Sequence, residues 1–142
     1  MSEPETAGQP HVFPLRVYYE DTDAAGVVYY ANYLRFAERA RTEMLRQAGV
    51  MHGALMAERG LAFAVRRCEV DFLKPARLDD WLEVHTRVLS LKGARVEAEQ
   101  VVKRSGDDIA RLKLEIACVD RSGRPARLPA TLTGALDAAS GA

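Results

Sequence analysis

The chain has 142 residues, the length of one domain, and 48% of them are apolar, enough to build a core and to exclude wholesale disorder. Its 20 lysines and arginines balance 20 aspartates and glutamates, and a formal net charge of zero argues against a general nucleic-acid binder. The opening MSEPETAGQP lacks the apolar stretch of a signal peptide, and no apolar run reaches membrane-spanning length, so a cytoplasmic protein is expected.

In chain order, residues 1 to 10 read as a loose tail, residues 11 to 136 as one domain, and residues 137 to 142 as a second tail. A first strand is expected from Val12 to Tyr19. The segment EDTDAAG, Glu20 to Gly26, breaks it with turn and cap formers. A long helix follows from Tyr29 to Gln47, with Tyr30, Tyr33, Leu34, Ala37, Arg41, Met44, Leu45 and Ala48 at helical spacing, all but Arg41 apolar. Arg39 and Glu43 are spaced to pair on its outer side, and Gly49 is a stop signal. A shorter helix is expected between His52 and Arg59.

From Gly60 the period becomes two. Leu61, Phe63 and Val65 alternate in one phase, Cys68, Val70 and Phe72 in the other, which predicts a β-bulge near Arg66 and Arg67. Pro75 and Asp79-Asp80 end this strand. Leu82 to Val88 form the next, Leu91-Lys92-Gly93 a hairpin turn, and Ala94, Val96 and Ala98 lead the strand after it. Ser105-Gly106-Asp107 turns the chain into a last strand, Ala110 to Cys118, and a final helical turn is expected after Pro129. Strand, long helix and four successive antiparallel strands define an α+β fold in which a curved sheet wraps one helix.

The stretch richest in chemistry runs from Tyr18 to Glu43, YYEDTDAAGVVYYANYLRFAERARTE. On spacing alone, Asp21 and Asp23 could be caps or turn formers. The full pattern, DTDxxG followed by two apolar residues, aromatics and Asn32-Tyr33, resembles the signature of the 4-hydroxybenzoyl-CoA thioesterase-like hotdog family. More narrowly, it is similar to the bacterial acyl-CoA thioesterases associated with the Tol–Pal envelope system. The resemblance implies a hotdog fold, no metal or organic cofactor, and hydrolysis of an acyl-CoA, with an acyl carrier protein thioester as an alternative substrate. It implies Asp23 as the catalytic carboxylate, acting as nucleophile or general base, and the amides of Val28, Tyr29 and Tyr30 as receivers of the thioester oxygen. A helix N-terminus, with unpaired N–H donors and a positive partial charge, suits a developing oxyanion. The branch usually carries histidine where this chain has Tyr30, and tyrosine cannot accept a proton near neutral pH. An acyl slot between the subunits of a homodimer or tetramer is implied as well.

By the same resemblance, Lys92, Arg95, Arg124 and Arg127 are candidates for the coenzyme A phosphates, although each also reads as a solvated loop charge. His11, His52 and His85 are scattered without metal-ligand spacing, and Cys68 and Cys118 sit in apolar patterns as expected of buried thiols. No GxGxxG, P-loop or GxSxG pattern supports a nucleotide cofactor or a serine triad. A non-catalytic acyl-CoA-binding domain and a hotdog hydratase are the rival readings. The first has no need of Asp23, and the second lacks its histidine.

Overall fold

The structure is a computed structural model and describes residues 9 to 139. Among these, five strands and three α-helices follow one another as β1 (His11–Arg16), α1 (Asn32–Gln47), α2 (His52–Arg59), β2 (Ala62–Phe72), β3 (Trp81–Lys92), β4 (Arg95–Arg104), β5 (Asp107–Val119) and α3 (Ala130–Ala139), with one 3-10 turn at Tyr19–Asp21 after β1. All strand pairs are antiparallel, and the sheet order is β1-β3-β4-β5-β2. The long helix packs against this sheet, as the order of one long helix and several antiparallel strands predicts.

Alternation decides which face is buried. Leu82, Val84 and Thr86 of β3, Val96, Ala98, Gln100 and Val102 of β4, and Leu112 and Leu114 of β5 are buried, while their neighbours along each strand are more exposed. Against them α1 sets Tyr33, Phe36, Ala37, Ala40, Met44 and Leu45, and α3 adds Leu132 and Leu136. Complete burial of Phe36, Leu82 and Leu112 contributes roughly 1.5–3 kcal/mol apiece. The polar residues in this core are satisfied: Gln100 Nε2 donates to the Ala37 carbonyl (2.9 Å) and to Thr86 Oγ1 (3.0 Å).

The predicted bulge is present, as a register shift between Val65 and Arg67 in the β2–β5 pairing. The β3–β4 turn falls at Gly93, with φ of 63°, and the β4–β5 turn at Ser105 and Gly106, with φ of 52° and 87°. Other boundaries differ. Strand β1 stops at Arg16, because Val17 exchanges hydrogen bonds with the loop before β3 (N–H to Asp80 O, 2.9 Å; carbonyl to Asp79 N–H, 3.0 Å). Helix α1 begins at Asn32 rather than Tyr29. Its buried face keeps Tyr33, Ala37, Met44 and Leu45 of the expected set and adds Phe36 and Ala40, whereas Leu34 is exposed and Tyr30, also exposed, falls in the turn before the helix. Glu43 pairs with Arg46 at 3.4 Å instead of with Arg39. The final turn is a full helix through Ala139, so Asp137 lies within α3 and not at the head of a tail. The expected N-terminal tail lies mostly outside the described residues, as does the end of the chain.

Candidate active site

The segment between β1 and α1 folds into a small hairpin held from outside. Thr22 bridges Val28, the Asp23 amide donates to the Val27 carbonyl (2.9 Å), and Gly26 closes the turn with a φ of 80° that favours glycine. The connection between β2 and β3, residues 73 to 80, grips this hairpin. Val28 N–H donates to Ala76 O (2.8 Å), Val27 bridges Arg77, and Leu78 N–H reaches Gly26 O (3.4 Å). The grip is itself anchored. Arg104 donates to Pro75 O (3.1 Å) and to Asp80 Oδ2 (2.7 Å), and the Ala76 amide donates to Tyr33 Oη (3.3 Å).

Within the hairpin the two aspartates have opposite surroundings. Asp21 is buried, with Oδ2 accepting the Tyr18 amide and Oδ1 accepting Asn32 Nδ2, both at 2.8 Å, so it ties the loop to the first residue of α1. Asp23 is exposed. Its Oδ1 accepts the Ala25 amide (2.9 Å) and the Val27 amide (3.4 Å), while Oδ2 has no partner among the described residues. The carboxylate is thus oriented through one oxygen and open at the other.

The three amides expected to meet a substrate oxygen are not equivalent. Val28 N–H is committed to Ala76 O, and Tyr29 N–H to Asp21 O at 2.9 Å, so neither is available as a donor. The amides of Tyr30 and Ala31, in the turn that leads into α1, donate to no group among the described residues. Sequence periodicity missed this because the two committed amides are paired by tertiary and loop contacts. It also missed Phe72, whose exposed ring lies edge-on to Tyr30 (6.1 Å between centroids) and beside Tyr33 (5.8 Å), forming an apolar wall at this corner.

Lys92, Arg95, Arg124 and Arg127 gather elsewhere. Lys92 faces Arg95 at the β3–β4 turn, and Leu128 N–H bonds to Gly93 O, bringing the segment with Arg124 and Arg127 to that same end. Arg95 is already paired with Glu115 at 3.1 Å, and Arg66, Lys92 and Arg95 line one shallow groove. Along β2, Phe72 marks the Asp23 corner and Ala62 to Ala64 the basic end, so within one chain the two groups are separated by roughly 30 Å of strand. One chain therefore does not bring the basic residues to Asp23. Among the described residues, no group of three or more His, Cys, Asp or Glu side chains could hold a metal ion.

A five-stranded antiparallel sheet packed on one long helix is the architecture of a hotdog-type domain. The chain belongs to the thioesterase-like superfamily, whose sequence model matches residues 17–136. It is 46% identical over 122 residues to the acyl-CoA thioester hydrolase YbgC of Escherichia coli O6:H1, covering 84% of this chain and 90% of that one. It is 48% identical over 108 residues to the acyl-CoA thioesterase YbgC of Haemophilus influenzae, covering 76% and 79%. The crystal structure of a probable thioesterase from Bartonella henselae superimposes with a TM-score of 0.82 at 41% identity, over 84% of this chain and 99% of that one.

Proposed function

We propose that this chain hydrolyses the thioester of an acyl-CoA to a free acid and coenzyme A, with Asp23 as its catalytic carboxylate. The observation that carries the reading is the state of Asp23: one oxygen held by two backbone amides and the other open, in a hairpin that leads into a helix start whose Tyr30 and Ala31 amides have no partner among the described residues. The names of the Escherichia coli and Haemophilus influenzae relatives support the substrate class. Two routes use the same groups. In one, Asp23 Oδ2 attacks the thioester carbon, coenzyme A leaves as thiolate, and water then cleaves the resulting anhydride. In the other, Asp23 takes a proton from water, and the hydroxide attacks and expels the thiolate. On either route the carbonyl oxygen gains charge and is received by the Tyr30 amide, with the Ala31 amide next to it. No leaving-group acid is required, because a thiolate departs readily.

The reading includes a second copy of the chain. Strand β2 is an edge eleven residues long, and pairing it antiparallel with another β2 sets the Phe72 end of one copy against the Ala62 end of the other. Lys92, Arg95, Arg124 and Arg127 of one copy then approach Asp23 of the other, where they meet coenzyme A phosphates. Two free cysteines suit a reducing, cytoplasmic setting.

The deciding experiment is Asp23→Asn, nearly isosteric and still able to accept the Ala25 and Val27 amides. Thiol release from acyl-CoA should be abolished with an unchanged melting point. Near-normal turnover would remove Asp23 from the mechanism. Absence of thiol release by the unaltered chain, with acyl-CoA still bound, would favour the non-catalytic binding domain.

A further inference from the structure

Beneath the outer half of α1 lies a cavity of about 270 Å³, walled by Leu45, Leu55, Phe63, Val88 and Ile116. That is slightly under the roughly 300–1,000 Å³ usual for sites enclosing a drug-sized ligand, and fits a small acyl group. The walls are mostly apolar; the polar side chains on them are Glu38, Arg41 and Thr42 of α1, His52 of α2 and Thr86 of β3. Arg41 is the one arginine or lysine among the lining residues. Its Nη1 donates to Gln100 Oε1 at 2.9 Å, its only hydrogen bond among the described residues, and no carboxylate lies within ion-pair distance of it.

Placing a guanidinium there is costly. An ion withdrawn from water loses several kcal/mol unless paired, and a single neutral amide oxygen is a weak replacement. Burial pushes the Arg41 guanidinium down from its ordinary value, and nearby Glu38 only partly restores it. A guanidinium nevertheless stays protonated in proteins. Glu38 is exposed, at the mouth of the cavity. His52, the other titratable group on the wall, is depressed by burial and by Arg41, and so is neutral at pH 7. Gln100 is turned so that its amide nitrogen serves Ala37 and Thr86, which leaves its oxygen facing Arg41 and fixes one edge of the guanidinium. The remaining N–H donors have no partner among the described residues. Of the lining residues Glu38, His52 and Val65 are exposed, and the 48% exposure of Val65 lies on the β2 edge that the proposed pairing would bring to the second copy's Asp23.

We infer that Arg41 recognises the far end of the acyl group, and that the preferred substrates are acyl-CoAs ending in a carboxylate. A carboxylate is the planar acceptor that a guanidinium fork matches with two parallel hydrogen bonds. The inference rests on the acyl-CoA reading above and names its substrate class. Arg41 is a specificity residue, remote from the thioester itself.

The test compares glutaryl-, adipyl- and suberyl-CoA with pentanoyl-, hexanoyl- and octanoyl-CoA, by thiol release, in the unaltered chain and in Arg41→Gln and Arg41→Lys. For at least one chain length the dicarboxylic substrate should have the higher kcat/KM. The ratio should fall roughly tenfold or more in Arg41→Gln, the scale of one hydrogen bond to a charged group, and less in Arg41→Lys. A preference for the plain acyl group at all three lengths overturns the inference while leaving hydrolysis intact. Thermal shift with the six free acids gives a readout independent of turnover. Adipate or a neighbour should raise the melting temperature of the unaltered chain more than the monocarboxylate of equal length, and that difference should vanish in Arg41→Gln. Equal shifts overturn the site. An Arg41-dependent shift without hydrolysis of any acyl-CoA would keep the site and overturn the enzymatic reading instead.

Discussion

Asp21 and Asp23 are two residues apart, and their hydrogen bonds separate their roles. Both oxygens of Asp21 accept from fixed donors, the Tyr18 amide and Asn32 Nδ2. Asp21→Asn must therefore set an NH2 group against one of them. It is expected to destabilise the fold by about 1–3 kcal/mol, measured by urea unfolding, while turnover per folded molecule falls far less than in Asp23→Asn. Tyr30 poses a different question, since its amide and its ring can act separately. Tyr30→Phe keeps the amide and the packing on Phe72, and should retain most activity. A fall beyond about a hundredfold, the scale of losing an oxyanion donor, would show that the hydroxyl acts in catalysis. The DTDxxG pattern made Asp23 legible as a candidate. Nothing in the sequence marked the Val28 and Tyr29 amides as already used, because Ala76, which takes the first, is remote in sequence and its side chain is irrelevant to the bond.

Among the elements, the β2–β3 connection does the positioning, and Asp80 is its fastening. Burial would raise the Asp80 carboxyl, but the Arg77 amide and the Arg104 guanidinium outweigh it and hold it below the ordinary carboxylate range. A carboxyl depressed in the folded state stabilises above its unfolded value and loses that stability as pH falls through its folded value. Asp80→Asn should accordingly lower the melting temperature near neutral pH, with the gap narrowing as the solution is acidified below the ordinary aspartate range. An equal gap at pH 7 and pH 3 would show that Asp80 acts by shape alone. Helix α1 shows where periodicity misleads. Tyr33, Ala37, Met44 and Leu45 are buried as expected, but Tyr30 and Leu34 occupy positions as apolar as Phe36 and Ala40, so a 3.6-residue pattern could not fix the edge of the buried face. The bulge in β2 was legible for the opposite reason: a phase reversal in a period-two pattern has few other causes.

For the whole molecule, the two sheet edges differ. Strand β1 is six residues long and contains Pro14, both of which blunt an edge. Strand β2 is longer, and Val65 and Phe72 on it are 48% and 52% exposed. Light scattering at micromolar concentration should give at least twice the chain mass, and a stable monomer would overturn the pairing and with it the approach of Lys92, Arg95, Arg124 and Arg127 to Asp23. The succession of elements along the chain and the covering helix could be read from hydropathy, because each element carries its own pattern, but the place of β2 beside β5 rather than β3 could not. The distance between the carboxylate and the basic cluster could not, since it arises from register along β2, which a single strand's composition does not encode.

The grip of residues 73 to 80 on the hairpin also sets an order of events during folding. Hairpin and grip are some fifty residues apart, and Val28 cannot find Ala76 until β2 has run its length and the chain has turned back. Arg104, which fastens the grip, comes later still, at the end of β4. Contacts of such long range carry a loop-closure cost and form after the local ones. On a chain emerging from the ribosome, α1 can form early, whereas the Asp23 corner acquires its shape only after most of the sheet has been made. The amino-terminal position of the motif thus conceals a site that is completed late.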